Sequence, residues 1–435
     1  MEAKIWIRWA CLHGSTRAAM RVIGWRGEPL ARLVLGRGEG EERYRLLGRL
    51  RDQGVLVRKP FVWASGDHGV CRAVLRDNRF AAADAEVVTI PPLLSALFRK
   101  TDPQVPNPVE PPAMVAMNPP EHTHYRRLVA QSFTPRAIDK LNDRVVELVT
   151  ELLDNFEDGQ SVDLVRSFAA QLPVTVIAEM LGMSAESREG MLDWGDAGAP
   201  LVGLGVTWPQ YRRGIAGLRE ADRDFRAHFD RIRRGACRDD TPFTRLAADG
   251  QLSYREFAAN AALLVGAGFE TTVNLIAHGI VLLLQHPDQL ALLRDDPSAW
   301  PGAVEEILRF ESPVQMTARV AREEVDIAGR RLRPGHVVVL LLGGANRDPS
   351  VFPDPDRFDV TRRNAREHLA FGSGVHACVG GALARAEGAV ALRMLFERFP
   401  GLRLIAPPEP TKMNNLHGYK RLRADLGAAA MEPSR

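Results

Sequence analysis

Between Ser253 and Pro287 the chain carries a run that few architectures can accommodate. Ser253-Tyr254-Arg255-Glu256 is a capping box, in which serine accepts from the third helical N–H and glutamate reaches back to the serine N–H. An almost unbroken apolar sequence follows until Pro287, whose missing N–H and fixed φ stop a helix. More than thirty residues at 1.5 Å each make a helix roughly 50 Å long. A helix apolar nearly all round has no face to give to water, so this one must cross the core of a large domain. In its middle stands Gly266-Ala267-Gly268-Phe269-Glu270-Thr271-Thr272. Each glycine costs about 1 kcal/mol relative to alanine in a helix, and an unpaired buried glutamate costs more. One reading is a seam of small residues where two helices pack closely, with Glu270 met by an arginine. The other is a helix opened beside a ligand, where Thr271 hydrogen-bonds a bound diatomic and Glu270 relays protons.

A second stretch constrains the chemistry. In Phe371-Gly372-Ser373-Gly374-Val375-His376-Ala377-Cys378-Val379-Gly380, one cysteine ends a glycine-punctuated loop and opens a helical run from Ala382 to Phe399. Glycines let backbone turn tightly and approach a large flat ligand. A thiolate at a helix N-terminus is favoured by the helix dipole and by free N–H groups. A lone cysteine of this kind also reads as a buried structural residue.

The remaining sequence frames these two stretches. The 435 residues hold 57 Lys+Arg against 54 Asp+Glu, a net +3, which lacks the concentrated basic stripe of a nucleic-acid binder. Arginine far outnumbers lysine, which with the abundant alanine and glycine hints at a GC-rich bacterial genome. Cys11, Cys71, Cys237 and Cys378 are dispersed, with no Cys-x-x-Cys pair, a usage that fits a reducing cytoplasm. Before the core run, a short helix (46–52), a hairpin (55–57 with 61–63) and helix-like spacing at 70–75 are expected. A proline-rich stretch from Pro91 to Pro120 reads as loop with short helical pieces. Helical patterns then resume at Glu121, at 136–156, 164–181 and 210–234. Glycines and prolines between Leu192 and Pro209 read as a mobile break between helices, a potential lid. After the core run come a helix at 301–310 and β-prone pieces at 325–327 and 337–342. No repeat or linker divides the chain, so the expected architecture is one large domain, mainly α with a small β portion. Residues 1–40 form an amphipathic extension to the domain of residues 41–435. In residues 1–25, Trp6, Trp9 and Trp25 interleave with Arg8, Arg17 and Arg21, a pattern of a segment lying on a membrane surface or of a helix docked on the domain.

The Phe-x-x-Gly-x-x-x-Cys-x-Gly loop resembles the haem-binding loop of the cytochrome P450 family, the haem-thiolate monooxygenases, with every motif position matched. Ala267-Gly268-Phe269-Glu270-Thr271 is similar to that family's oxygen-activation motif. Glu306-Ile307-Leu308-Arg309 and Pro355-Asp356-Arg357-Phe358 resemble its structural Glu-x-x-Arg and Pro-x-Arg-Phe segments. The resemblance spans about Leu46 to Arg423, in the family's order. It implies the single-domain P450 fold, with the long central helix crossing the haem. It implies haem b with Cys378 as the metal ligand, and Phe371, Gly372, Gly374, Gly380 and Ala267 shaping the site. Propionate partners by the same resemblance are His122, Arg126, Arg319 and His376. Asn118 departs from the family's Asp-Pro-Pro, a change at a helix cap. Glu306, Arg309 and Arg357 would form a structural network beneath the loop.

The function implied is insertion of one oxygen atom from O2 into a C–H bond of a hydrophobic small molecule. Glu270 and Thr271 would be catalytic, and the thiolate's push on the iron would favour O–O cleavage. Electrons would come from NAD(P)H through a separate ferredoxin or flavodoxin-type donor with its reductase, no nucleic acid being involved. The setting is cytoplasmic, with at most peripheral membrane contact through residues 1–25. Expected pocket walls are the proline-rich loop, the 192–209 break, Leu263 and Val314-Gln315-Met316-Thr317. A haem sensor or carrier would need Cys378 but not the Glu270–Thr271 pair. A peroxide-driven hydroxylase would need no electron donor.

Overall fold

The core helix runs Tyr254–Gln285 in the computed structural model, which describes residues 2–38, 40–82, 92–237, 241–411, 413 and 415–429. Its capping box forms as the sequence dictates: Ser253 Oγ accepts the Glu256 N–H at 3.4 Å, and the Glu256 carboxylate accepts the Ser253 N–H at 2.8 Å. His286 caps the far end, and Pro287 opens the next helix, Pro287–Asp295. This is the described helix long and apolar enough to cross a membrane, and most of it lies inside the protein. Helices Pro135–Asp154, Gln171–Leu181, Trp208–Arg233, Trp300–Phe310 and Gly381–Arg398 pack about it into one apolar core. The glycines are where the neighbours come closest. A Cβ on Gly279 would meet Leu392 Cδ1 at 2.4 Å, and one on Gly268 would meet Ile177 Cδ1 at 2.9 Å. The small-residue seam is therefore real at Gly268, next to the residues read as an opening.

The β portion is small and joins distant parts of the chain. A five-stranded sheet has the order Val57–Arg58, Trp63–Ser65, Val337–Leu340, Thr317–Ala321, Phe80–Ala82. Trp63–Ser65 runs parallel to Val337–Leu340, and the other pairs are antiparallel. The expected hairpin forms about two residues later than its apolar pattern, because the turn closes where the Lys59 N–H meets the Val62 carbonyl at 2.8 Å. The proline-rich stretch folds as helix Pro92–Thr101, a loop and a short turn at Met114–Ala116; Pro91 lies outside the described residues.

Two expectations are corrected. The break expected from Leu192 is helical through Gly198, in a helix Ser187–Gly198, and then a 3-10 turn Ala199–Val202. Gly195 lies against the Phe269 ring, and a Cβ on Gly217 would meet the Trp194 carbonyl at 3.2 Å, so these glycines serve close helix packing. Only 203–207 remain as connection before helix Trp208–Arg233. Arg357 is not the third member of the buried network. Its side chain is exposed near Asp359, and only its carbonyl reaches Arg309, whereas Arg362 Nε approaches Glu306 Oε1 at 3.2 Å. The turn through Pro353–Arg362 points Arg362 inward, where it donates to the Pro353, Asp354 and Arg357 carbonyls.

The described part of the N-terminal segment packs on the domain as helices Glu2–Trp9, Ser15–Trp25 and Pro29–Val34, the first two linked by a π turn. Ile5 joins Leu201, Tyr211, Ile215 and Leu218 in a satellite core. Arg8 donates to the Phe98 carbonyl at 2.9 Å and to Glu110, while Trp9 Nε1 donates to the Val206 carbonyl at 2.8 Å. Arg8 and Trp9 thus find polar partners in the domain, while Trp6, Val22 and Trp25 stay exposed.

Candidate active site

The cysteine loop is held by backbone. The Cys378 N–H donates to the Phe371 carbonyl at 2.9 Å, closing the loop on itself. Gly372 and Gly374 have φ of 67° and 72°, in the left-handed region that side chains disfavour. At Gly374 the constraint is double, because an added Cβ would lie 2.3 Å from the Leu75 carbonyl oxygen. Gly374→Ala is expected to distort the loop at a cost of about 1–3 kcal/mol. It should lower the haem content of purified protein, read as the Soret-to-protein absorbance ratio; an unchanged ratio and melting temperature would refute the requirement.

Cys378 is exposed at its surface, yet the surrounding protein desolvates its thiol. Burial raises its thiol pKa, opposed by the Gly380 N–H and by the charges of Arg126 and Arg385. Arg385 stacks over the Phe371 ring at 4.4 Å and bonds Glu305 through Nε at 2.7 Å. Glu305 also accepts from His368 at 3.0 Å; burial pushes its pKa up, but these bonds and charges prevail and hold it at about 2. A buried acid thus anchors the loop from behind.

Four basic groups gather beside the loop. The His122 and His376 rings are 4.2 Å apart, His122 being buried with no hydrogen-bond partner for Nδ1. Burial, then the charges of Arg319, His122 and Arg126, depress His376 to about 3. Burial, then Arg126 and Arg319, lower His122 as well. Arg319, only 9% exposed, donates to its neighbours Thr317 Oγ1 and Ala318 O and forms no salt bridge among the described residues. Burial alone brings it down to about 10. No carboxylate figures among the groups that shift these three residues. Positive charge buried without a counter-anion is costly, so the arrangement fits a ligand that brings carboxylates of its own.

On the core helix, Ala267 is exposed and Thr271 half-buried, one turn apart amid buried neighbours. Thr271 Oγ1 donates to the Ala267 carbonyl at 2.5 Å. Glu270 points the other way, into the protein: it is 9% exposed, and burial, then the charge of Asp196, raise it to about 7 against the pull of Asn274. Among the described residues no arginine pairs with it, contrary to the seam reading. The helix bearing this window packs against the helix that follows Cys378, through Gly279 on Leu392 and Gly388 on Leu275. The Asn118 carbonyl accepts the His122 N–H at 2.9 Å, and its Oδ1 accepts the Ala82 N–H at 2.8 Å, tying the helix of His122 and Arg126 to the sheet strand opposite Arg319. Gln315, expected on a pocket wall, is buried instead, donating to the Ser312 carbonyl and packing on Gly343.

Sequence reasoning missed Asn274, Asp196, Arg385 and Glu305. Asn274 is legible afterwards as the residue one turn beyond Glu270 on the same face. Asp196 and Glu305 carry no local signal, since they reach their partners only through folding.

The family model described as Cytochrome P450 matches residues 301–416, which include Arg319 and Cys378. "Putative cytochrome P450 140" of Mycobacterium tuberculosis is 40% identical over 430 residues, covering 97% of this chain and 98% of its own. The chain therefore belongs to the cytochrome P450 family and is a monooxygenase with a haem-iron cofactor. Among particular relatives, the 6-deoxyerythronolide B hydroxylase of Saccharopolyspora erythraea is 43% identical over 306 residues, 67% of this chain and 71% of its own. P450BioI, solved in complex with hexadec-9Z-enoic acid ligated acyl carrier protein, superposes with a TM-score of 0.79 at 32% identity, over 88% of this chain and 98% of that one. The mainly α fold with its small β portion and long central helix is the P450 fold.

Proposed function

We propose that this chain inserts one oxygen atom from O2 into a C–H bond of a hydrophobic small molecule, on a haem b bound through Cys378. The observation that carries the reading is the exposed Cys378 beside His122, Arg319 and His376, none of which is shifted by a carboxylate among the described residues. Haem b supplies the two missing carboxylates as propionates, and when bound it supplies the activation of O2. Arg126 and Arg319 neutralise those carboxylates, and His122 and His376 donate hydrogen bonds to them, giving the orphaned His122 Nδ1 a partner. The Gly380 N–H, Arg126 and Arg385 stabilise negative charge on the Cys378 sulfur. Phe371 and the glycines at 372, 374 and 380 hold the loop, and the small Ala267 would leave room for the cofactor. Residues 41–435 make up this domain and residues 1–40 its extension.

Thr271 and Glu270 are the catalytic pair. The Thr271 hydroxyl, which donates to the Ala267 carbonyl, would be the group to hydrogen-bond O2 at this site. Glu270 holds the proton to be delivered. With burial raising it to about 7, its protonated form dominates below that pH and is lost above it. Coupling of electron consumption to product is therefore expected to fall as pH rises through about 7. Glu270→Gln should remove that inflection and slow product formation on the order of 10²-fold. Thr271→Ala should keep the haem and divert reducing equivalents to peroxide; unchanged coupling in that variant would refute the relay.

Electrons reach the site from NAD(P)H through a ferredoxin or flavodoxin-type partner. The exposed Arg72, Arg76 and Arg127 around the cysteine loop suit an acidic donor. Such a donor places the enzyme in the cytoplasm, any membrane contact being peripheral and through residues 1–25. The hydroxylase and acyl-carrier relatives support a large apolar substrate. Turnover with ferredoxin, reductase and NADPH, compared with turnover on hydrogen peroxide, tests the electron route; activity with peroxide alone would overturn it.

A further inference from the structure

Away from the cysteine loop, three segments meet at a polar cluster to which the reading above gives no role. His278 comes from the core helix, two turns beyond Thr271. Glu311 caps the end of helix Trp300–Phe310, and His417 lies just before strand Tyr419–Arg421. One nitrogen or oxygen from each lies within 4.8 Å of the others.

His417 pairs with Glu311, whereas His278 lacks a side-chain partner. His278 is fully buried, and neither ring nitrogen completes a hydrogen bond. A neutral imidazole has one donor and one lone pair, and leaving both bare in the interior is unfavourable. His417 Nδ1 lies 2.9 Å from Glu311 Oε2 but outside hydrogen-bond geometry, and the two imidazole rings are 4.9 Å apart.

Two imidazoles and a carboxylate are the donor set of open zinc sites. Zinc bonds of about 2.0–2.2 Å at tetrahedral angles require ligand atoms roughly 3.3 Å apart. The cluster brackets that separation, between 2.9 and 4.8 Å, so small side-chain rotations reach it. The carboxylate is oriented from behind: Tyr44 Oη donates to Glu311 Oε2 at 2.8 Å, and Arg347 Nη2 approaches Oε1 at 3.4 Å. Such outer bonds are what fix ligating carboxylates in metal sites. Arg347 and Arg43 bring positive charge nearby, but Arg347 is drawn back over the Tyr44 and Phe310 rings, 3.5 and 3.8 Å from their centres, and towards Asp356. A cleft of about 1230 Å³ lined by Tyr44, Glu311, Arg347 and Tyr419 lies on the Glu311 side of the cluster.

We propose that His278, Glu311 and His417 bind one zinc ion, with water in the fourth position, pinning the core helix to the C-terminal segment. The site is structural and independent of how the haem is held.

The test uses untagged holoprotein, stripped with a chelator, desalted, and titrated with zinc chloride or cobalt chloride. Expected are one metal per chain by mass spectrometry, the visible bands of tetrahedral cobalt, and a melting temperature raised by zinc. His278→Asn, which keeps a polar side chain, should weaken zinc binding at least about tenfold while the haem spectrum stays intact. Should that variant fail to fold, His417→Gln serves the same purpose. Folded protein that takes up no zinc at micromolar concentration would overturn the proposal. So would zinc uptake unchanged by either substitution, which would locate the metal elsewhere.

Discussion

Cys378→Ser is expected to abolish the long-wavelength Soret band of the reduced, carbon monoxide-treated protein and to remove monooxygenase turnover. The serine hydroxyl matches the thiol in shape but does not ionise near neutrality, so it cannot supply the anionic ligand that the loop is built to stabilise. The effect should be confined to the ligand. The Cys378 N–H keeps its bond to the Phe371 carbonyl, and Glu305 keeps Arg385 and His368. Far-ultraviolet circular dichroism and melting of the haem-free protein should therefore match the parent closely. Haem retention should fall, although Arg319, Arg126, His122 and His376 still offer partners to the propionates. An unaltered ferrous–carbon monoxide spectrum in Cys378→Ser would refute Cys378 as the axial ligand.

Arg309→Leu is expected to be the most damaging single change outside the site. Arg309 and Glu306 are both 0% exposed, joined by bonds of 2.7 and 2.8 Å. The guanidinium also donates to the carbonyls of Asn346, Pro355 and Arg357. Removing it strands those carbonyls and leaves the Glu306 carboxylate with Arg362 and the Asp359 N–H for partners. Breaking a buried pair in this way costs about 3–5 kcal/mol, a large share of the about 5–15 kcal/mol by which domains are stable. The variant should unfold at much lower urea concentration and be recovered with little haem. Arg309→Lys, which keeps charge but has three donors in place of a planar fork, should fall between. A urea midpoint in Arg309→Leu equal to the parent's would show that the network carries no stability.

The parts of this molecule legible in the sequence are those set by neighbours along the chain. Ser253, Glu256 and Pro287 fix the ends of the core helix because a cap and a missing N–H act within one turn. The cysteine loop is legible because its glycines answer to backbone geometry, as Gly374 shows by its φ and its contact with the Leu75 carbonyl. Legibility fails where a residue's role depends on what folding brings to it. Gly195 and Gly217 are helix breakers in isolation but contact points once Phe269 and Trp194 arrive. Arg357 and Arg362 are equivalent by charge, and only the path of the turn decides which one meets Glu306. The raised pKa of Glu270 rests first on burial and then on Asp196, which no local pattern connects to it. The amphipathic N-terminal segment specifies that one face is covered, not that Arg8 and Trp9 meet Glu110 and Val206.

The central sheet also bears on how the chain is made. Trp63–Ser65 has its parallel partner in Val337–Leu340, about 270 residues downstream. A ribosome adding roughly 5–20 residues per second needs roughly 15–50 s to produce that partner. Until then Trp63–Ser65 is an open strand edge, and Leu341 has yet to cover the leucines of helix Glu41–Arg51. The cysteine loop emerges later still. Newly made chains therefore pass through a long window in which they cannot yet close on a haem, and yield in a heterologous host should respond more to slower translation and chaperone supply than to added haem precursor.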